Sequence, residues 1–188
     1  TLGMTALITV MSVMNGFQEE IRTRILGVAS HIQISGVNEK LSAWQGVANE
    51  AIKHPQVEAA APYVSAQGMV SFNQVVRGVL VRGVLPSKEG KVAGFSQMMI
   101  SGELNNLVPG EFGIVVGVEL AQSLGASKGD KIVLISPQGQ MTPVGILPRL
   151  KQFTITGIFK AGHFEYDSTL VLIHMADAQK LYRMESTQ

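Results

Sequence analysis

Apolar and polar positions along this chain change period several times, and each change predicts an element. Residues 1–14, TLGMTALITVMSVM, carry no charged side chain. At a rise of about 1.5 Å per residue such a run covers only part of a bilayer core of about 30 Å. Two readings are open for it, a transmembrane helix cut part-way and a buried core helix. It lacks the basic flank and small-residue cleavage site of a secretory signal. Phe17, Ile21, Ile25 and Val28 then recur every three or four residues, with Gln18, Glu19, Glu20, Arg22 and Arg24 between them, which predicts one long helix ending near Gly27. Residues 31–35 alternate as a short strand.

Ser42 is placed to cap a second helix whose stripe is Trp44, Val47, Ala48, Ala51 and Ile52, a core face, and His54-Pro55 ends it. Val64, Ala66, Gly68, Val70 and Phe72 alternate with polar or small neighbours, and the period resumes over 75–84 after Asn73-Gln74, predicting a β-hairpin. Residues 87–102 read as a loop with a short helix. A strand over 110–117, a helix over 118–124 ended by Gly125, a turn at Gly129-Asp130 and strands over 131–135 and 152–159 follow. A strand over 169–173 and a helix from Met175 close the chain. The fold class is α+β, an α/β outer subdomain formed by 15–100 and 163–188 and split by an inserted β-rich subdomain at 101–162.

The least ordinary segment is 136–150, SPQGQMTPVGILPRL, between two strands that would pair and project it as a hairpin tip. Pro137, Pro143, Pro148, Gly139 and Gly145 predict a shaped loop in place of a regular ladder, since proline lacks the N–H and glycine weakens a strand. Met141, Val144, Ile146 and Leu147 make it more apolar than a solvated loop needs to be, so it is either a docking element or a lid folded onto its own subdomain. Arg149 and Lys151 at its base add positive charge suited to steering a partner.

Composition sharpens this picture. Hydrophobic residues make up 46% of the 188 positions and charged residues 15%, against about 25% charged in ordinary soluble domains. A net charge of +1 without a basic run leaves no electrostatic footprint for nucleic acid. The absence of cysteine excludes disulfides, thiolate metal sites and a cysteine nucleophile. Nucleotide-loop chemistry fails as well, because Gly90-Lys91 is followed by Val92 and Leu85 stands where the first glycine belongs. No serine-hydrolase elbow, zinc-protease helix or acidic calcium loop is present. The remaining enzymatic candidate is His163, Glu165 and Asp167, which in a strand would share one face. The plainer reading is a polar connection between subdomains.

Several segments resemble the lipoprotein-releasing ABC permeases of the LolC, LolE and LolF group. They are Val10 through Phe17 with Glu20, Ile25 and Leu26, then Ala60-Ala61-Pro62-Tyr63, Leu124-Gly125, Gly129-Asp130, the loop Gln140 through Pro148, and Asp177-Ala178-Gln179. The resemblance implies a MacB-like periplasmic domain facing the periplasm from the inner membrane of a Gram-negative bacterium, with residues 1–14 the end of a first transmembrane helix. It implies no cofactor and no catalysis in this chain, ATP being hydrolysed by a separate cytoplasmic subunit, LolD. It also implies lipoprotein substrates, a second permease subunit and a soluble carrier, LolA. The carrier would be met by a hook made of Pro137, Gln138, Gln140, Met141, Thr142, Pro143, Val144, Gly145, Ile146, Leu147 and Pro148, beside a basic patch of Arg149 and Lys151. Met11, Met14 and Phe17 would lie near the membrane and the lipoprotein. Val144 stands where the LolC type usually has methionine, Val133 where it has arginine, and the loop is one residue shorter on its leading side. Residues 59–63 are closer to LolE, so the combination suggests LolF. The alternative is the same domain type in a MacB- or FtsX-type permease that docks an efflux adaptor or a cell-wall hydrolase.

Overall fold

The computed structural model describes residues 32–36, 41, 43–142 and 145–183. The predicted N-terminal helix, with Met11, Met14 and Phe17, the cap at Ser42, and Pro143 and Val144 lie outside them. Among the described residues no helix is long and apolar enough to cross a membrane.

The strands are β1 (Tyr63–Phe72), β2 (Val75–Val84), β3 (Met99–Ser101), β4 (Gly113–Gly117), β5 (Lys131–Thr142), β6 (Gly145–Phe159) and β7 (Leu170–His174). The helices are α1 (Trp44–Ile52), α2 (Pro86–Val92), α3 (Phe95–Met98), α4 (Val118–Leu124), α5 (Phe164–Thr169) and α6 (Met175–Tyr182), with a 3-10 turn at Leu104–Asn106. All seven strands join one sheet in the order β3-β6-β4-β7-β2-β1-β5, and β5 pairs again with β6. Six strands therefore form a closed ring, which removes the edges that an open sheet must protect. Closure depends on the length of β6. Its first part pairs antiparallel with β5 up to Thr154, and from Thr154 onward it runs parallel to β4. Strands from the 101–162 segment thus hydrogen-bond directly to strands from the flanking segments, β4 to β7 and β5 to β1.

Local chemistry accounts for the elements. Asn73 and Gln74 both take positive φ, 44° and 69°, the left-handed pair that a two-residue hairpin turn requires. Gly125 ends α4 at φ +68°, where a side chain would be strained. β4 and β7 are apolar runs because both their faces are covered. Ile114, Val116, Val171 and Ile173 enter the ring interior with Val70, Val81, Leu134 and Phe153, and α4 and α6 add Leu120, Leu124, Ala178 and Leu181. Val115, Leu170 and Leu172 face a second cluster with Val84, Phe95 and Phe159.

Three expectations are corrected. Residues 32–36 form no strand, and Ile32 and Ile34 are exposed. The α1 stripe is oriented inward but not enclosed: Trp44, Val47, Ala48 and Ala51 are half-buried, Ile52 is exposed, and no residue of α1 is buried. Residues 87–102 hold two short helices and a strand in place of a loop with one helix.

Candidate functional site: a bulged hairpin and its basic base

The 136–150 segment is a ladder after all. β5 and β6 remain paired from Lys131↔Thr154 to Thr142↔Gly145. The ladder survives because its prolines stand where a ladder has no use for an N–H. Between the pairs Ser136↔Arg149 and Gln140↔Leu147, residues 137–139 oppose the single residue 148. Pro137, Gly139 and Pro148 thus fall together in one bulge, a position that tolerates both residue types and increases twist. Beyond it, Gln140, Met141 and Thr142 pair with Leu147, Ile146 and Gly145, and residues 143 and 144 between them lie outside the described residues.

This ribbon projects from the ring. The pairing of β5 with β1 covers only Val133, Leu134 and Ile135, and the pairing of β6 with β4 begins at Thr154. From Ser136 and Arg149 outward the two strands have only each other among the described residues. Seven residues of β5 (136–142) against five of β6 (145–149), at roughly 3.3 Å each, extend the ribbon by roughly 15–20 Å.

The base carries the charge. Arg149 and Lys151, two residues apart on β6, lie on one face. Lys151 is exposed and its Nζ stands 3.8 Å from the centroid of the Phe112 ring, a cation–π contact. Lys180 of α6 approaches the same ring at 6.0 Å. Phe112 is held in turn by an edge-to-face contact with Phe153, at 5.5 Å between centroids, and its carbonyl accepts from the Thr154 N–H at 3.0 Å. Its φ of +52° is unusual for a bulky residue. Arg149 is half-buried and donates from Nη1 to the Leu181 carbonyl of α6 at 3.2 Å. Asp177, fully buried on α6, accepts from the Gly110 N–H at 2.9 Å. The Tyr182 hydroxyl donates to the Gln67 carbonyl at 3.1 Å, and burial pushes its pKa up to about 12. Burial also lowers the pKa of His174, against the opposing charge of Asp177.

The residues expected at the site are therefore distributed as follows. Pro137 and Pro148 are exposed in the bulge, and Gln138, Gln140, Met141, Thr142, Gly145, Ile146 and Leu147 follow the outgoing and returning strands. Val133 lies lower on β5, half-buried opposite Ser71 and Gln152. Lys180 and Phe112 complete the basic cluster and were not singled out in the sequence; only the fold brings residues 112, 151 and 180 together. His163, Glu165 and Asp167 do not share a strand face, since Glu165 and Asp167 lie within α5 and His163 immediately precedes it. Asp167 is buried and accepts the N–H groups of Ala161, at 2.6 Å, and Gly162, at 3.0 Å. That bonding accounts for its burial in structural terms. Among the described residues no group of three or more potential ligands is placed to hold a metal.

The architecture is a closed mixed sheet with an outward two-stranded ribbon. The chain matches the MacB-like periplasmic core domain over residues 1–188 and belongs to that family. Among curated relatives it is similar to the lipoprotein-releasing system transmembrane protein LolC of Neisseria meningitidis serogroup B, with 46% identity over 184 residues covering 98% of this chain and 44% of that protein. The LolC protein of Xylella fastidiosa strain 9a5c is 39% identical over the same shares, and the LolE protein of Haemophilus influenzae 28% identical over 100% of this chain and 45% of that one. The chain thus spans less than half the length of these relatives. Among solved structures, the periplasmic region of MacB from Actinobacillus actinomycetemcomitans has a TM-score of 0.52 at 13% identity, covering 83% of this chain and 62% of that one. The extracellular domain of YknZ, a transporter of Gram-positive bacteria, has a TM-score of 0.51 at 10% identity, covering 74% and 66%. Both likenesses are of fold.

Proposed function

We propose that this chain is the periplasmic domain of an inner-membrane ABC permease that releases lipoproteins, and that its β5–β6 ribbon docks the soluble carrier LolA. The observation that carries the reading is the ribbon: an extended two-stranded element with an apolar sequence over 141–147, whose described residues beyond Ser136 and Arg149 pair with no third strand. Apolar segments held away from a core are stabilised by a partner. The basic base supports the reading by offering long-range attraction to an acidic rim, which raises the association rate more than the final affinity. The similarity to LolC and LolE proteins supports lipoprotein release as the cargo chemistry. In this reading ATP is hydrolysed by LolD, a separate subunit, a second permease subunit completes the membrane part, and Met11, Met14 and Phe17 approach the lipoprotein.

A photo-crosslinking amino acid placed at Met141 in the assembled permease tests the contact. It is expected to give an adduct with LolA on illumination, whereas the same group at Phe164, which is 71% exposed on α5, gives none. Equal adducts from both positions, or an adduct from Phe164 alone, would remove the ribbon from the interface.

A further inference from the structure

We infer that Arg149 is a positioning residue: it ties the root of the ribbon to the C-terminal end of α6 and so fixes the direction in which the ribbon points. The inference concerns the internal geometry of the ribbon, and its consequence for docking rests on the function proposed above.

The root is where the ribbon most needs a constraint. Cross-sheet support ends at Ile135 on β5, and the ladder is broken between Ser136 and Gln140, so among the described residues a two-stranded, bulged segment leaves the ring with no third strand paired to it. Isolated two-stranded ribbons are marginal in water and bend at bulges. Arg149 is paired with Ser136, the last regular pair before that break. Its guanidinium turns away from the ribbon and donates to the Leu181 carbonyl in the last turn of α6. Helix C-termini carry unsatisfied carbonyls and partial negative charge, so a cation there forms a charge-assisted bond.

Neighbouring contacts brace the same junction. Lys151, one step nearer the ring on the same face, lies on Phe112. The loop before Phe112 is bound to α6 through the Gly110 N–H and Asp177. The Tyr182 hydroxyl fastens α6 to β1 at Gln67. Ribbon root, 110–112 loop, α6 and β1 are thereby joined, and Arg149 is the member nearest the ribbon. A guanidinium engaged on a backbone carbonyl at 3.2 Å and half-buried has less freedom to meet a partner than the exposed Lys151.

The test uses the full permease with spin labels on cysteines introduced at Gln138 on the ribbon and Gln122 on α4, in a cysteine-free background, without carrier. Double electron–electron resonance should show a broadened distance distribution in Arg149→Met. Loss of one charge-assisted bond shifts the ratio of tied to released ribbon by about tenfold. Arg149→Lys, which keeps a charged donor, should recover much of the narrow distribution. Should Arg149→Met fail to fold, Arg149→Gln is the replacement, with a smaller broadening expected. An unchanged distribution in the folded variant overturns the inference, and if LolA binding is nonetheless lost, Arg149 is a direct contact. A broadened distribution with unchanged LolA binding upholds the inference and instead contradicts the docking role of the ribbon.

Discussion

Gly117→Ala is expected to destabilise the chain by about 3 kcal/mol or more, at the upper end of what overpacking costs. Gly117 joins β4 to α4 with φ −69° and ψ 151°, angles any residue can adopt, so the cause is steric alone. A Cβ at this position would stand 2.2 Å from the Asp167 carbonyl oxygen, 2.7 Å from its carbonyl carbon and 2.8 Å from its Cα. None of these is the free end of a side chain. Asp167 cannot easily withdraw, because its carboxylate holds the N–H groups of Ala161 and Gly162. For a chain of this size the loss corresponds to a fall of roughly 6–12 °C in Tm. Gly78→Ala is the control, since an added Cβ there meets nothing within 4 Å. It should leave Tm nearly unchanged, and thermal unfolding by circular dichroism checks both. A Gly117→Ala protein that melts with the parent would show that the β4–α4 junction is not close-packed.

Arg82→Met is expected to cost about 3–5 kcal/mol at neutral pH, as breaking one half of a buried ion pair does. Glu89 on α2 is fully buried, and its Oε1 lies 3.0 Å from Arg82 Nη2. The guanidinium also sits over the Tyr63 ring at 4.6 Å and near the Phe95 ring at 5.8 Å. Among the described residues neither carboxylate oxygen of Glu89 nor Arg82 Nε has a hydrogen-bond partner, so electrostatics and ring contacts hold the pair. Burial raises the pKa of Glu89 above its ordinary 4.5, while Arg82 pulls it back down. A carboxyl that binds its proton more tightly when folded favours the fold most below its unfolded pKa, and this stability is lost as pH rises through the folded value. Without Arg82 the folded value moves higher and the loss grows. The deficit of Arg82→Met relative to the parent should therefore be largest at pH 8 and smaller at pH 5 in urea denaturation. His174, whose lowered pKa acts in the opposite direction, is common to both proteins and cancels in the difference. Arg82→Met/Glu89→Gln should regain part of the loss. A deficit of equal size at both pH values would contradict a charge-based origin.

The elements that the sequence declared were those with local causes. The Asn73-Gln74 turn, the Gly125 helix stop and the apolar strand β7 all follow from backbone preference or hydrophobic pattern within a few residues. Ring closure was not legible, because β6 changes partner at Thr154 and nothing within its own pattern marks the change. The ribbon was half legible. Its apolar sequence and prolines stood out, but those prolines suggested a loop, and only the register shows Pro137 and Pro148 gathered in one bulge. Arg149 and Lys151 were visible as charge. Their engagement with Leu181 and Phe112 required the placement of α6 and the 110–112 loop, and Lys180 entered the cluster for the same reason. Asp167 read as a possible ligand because its backbone donors, at Ala161 and Gly162, have no signature in residue type.

The docking role of the ribbon is tested most directly by calorimetric titration of the detergent-solubilised permease with LolA, comparing the parent with Pro143→Ala/Val144→Asp. A carboxylate placed in an apolar contact must be desolvated without a partner, so the Kd is predicted to rise by at least about tenfold. An unchanged Kd would contradict the account.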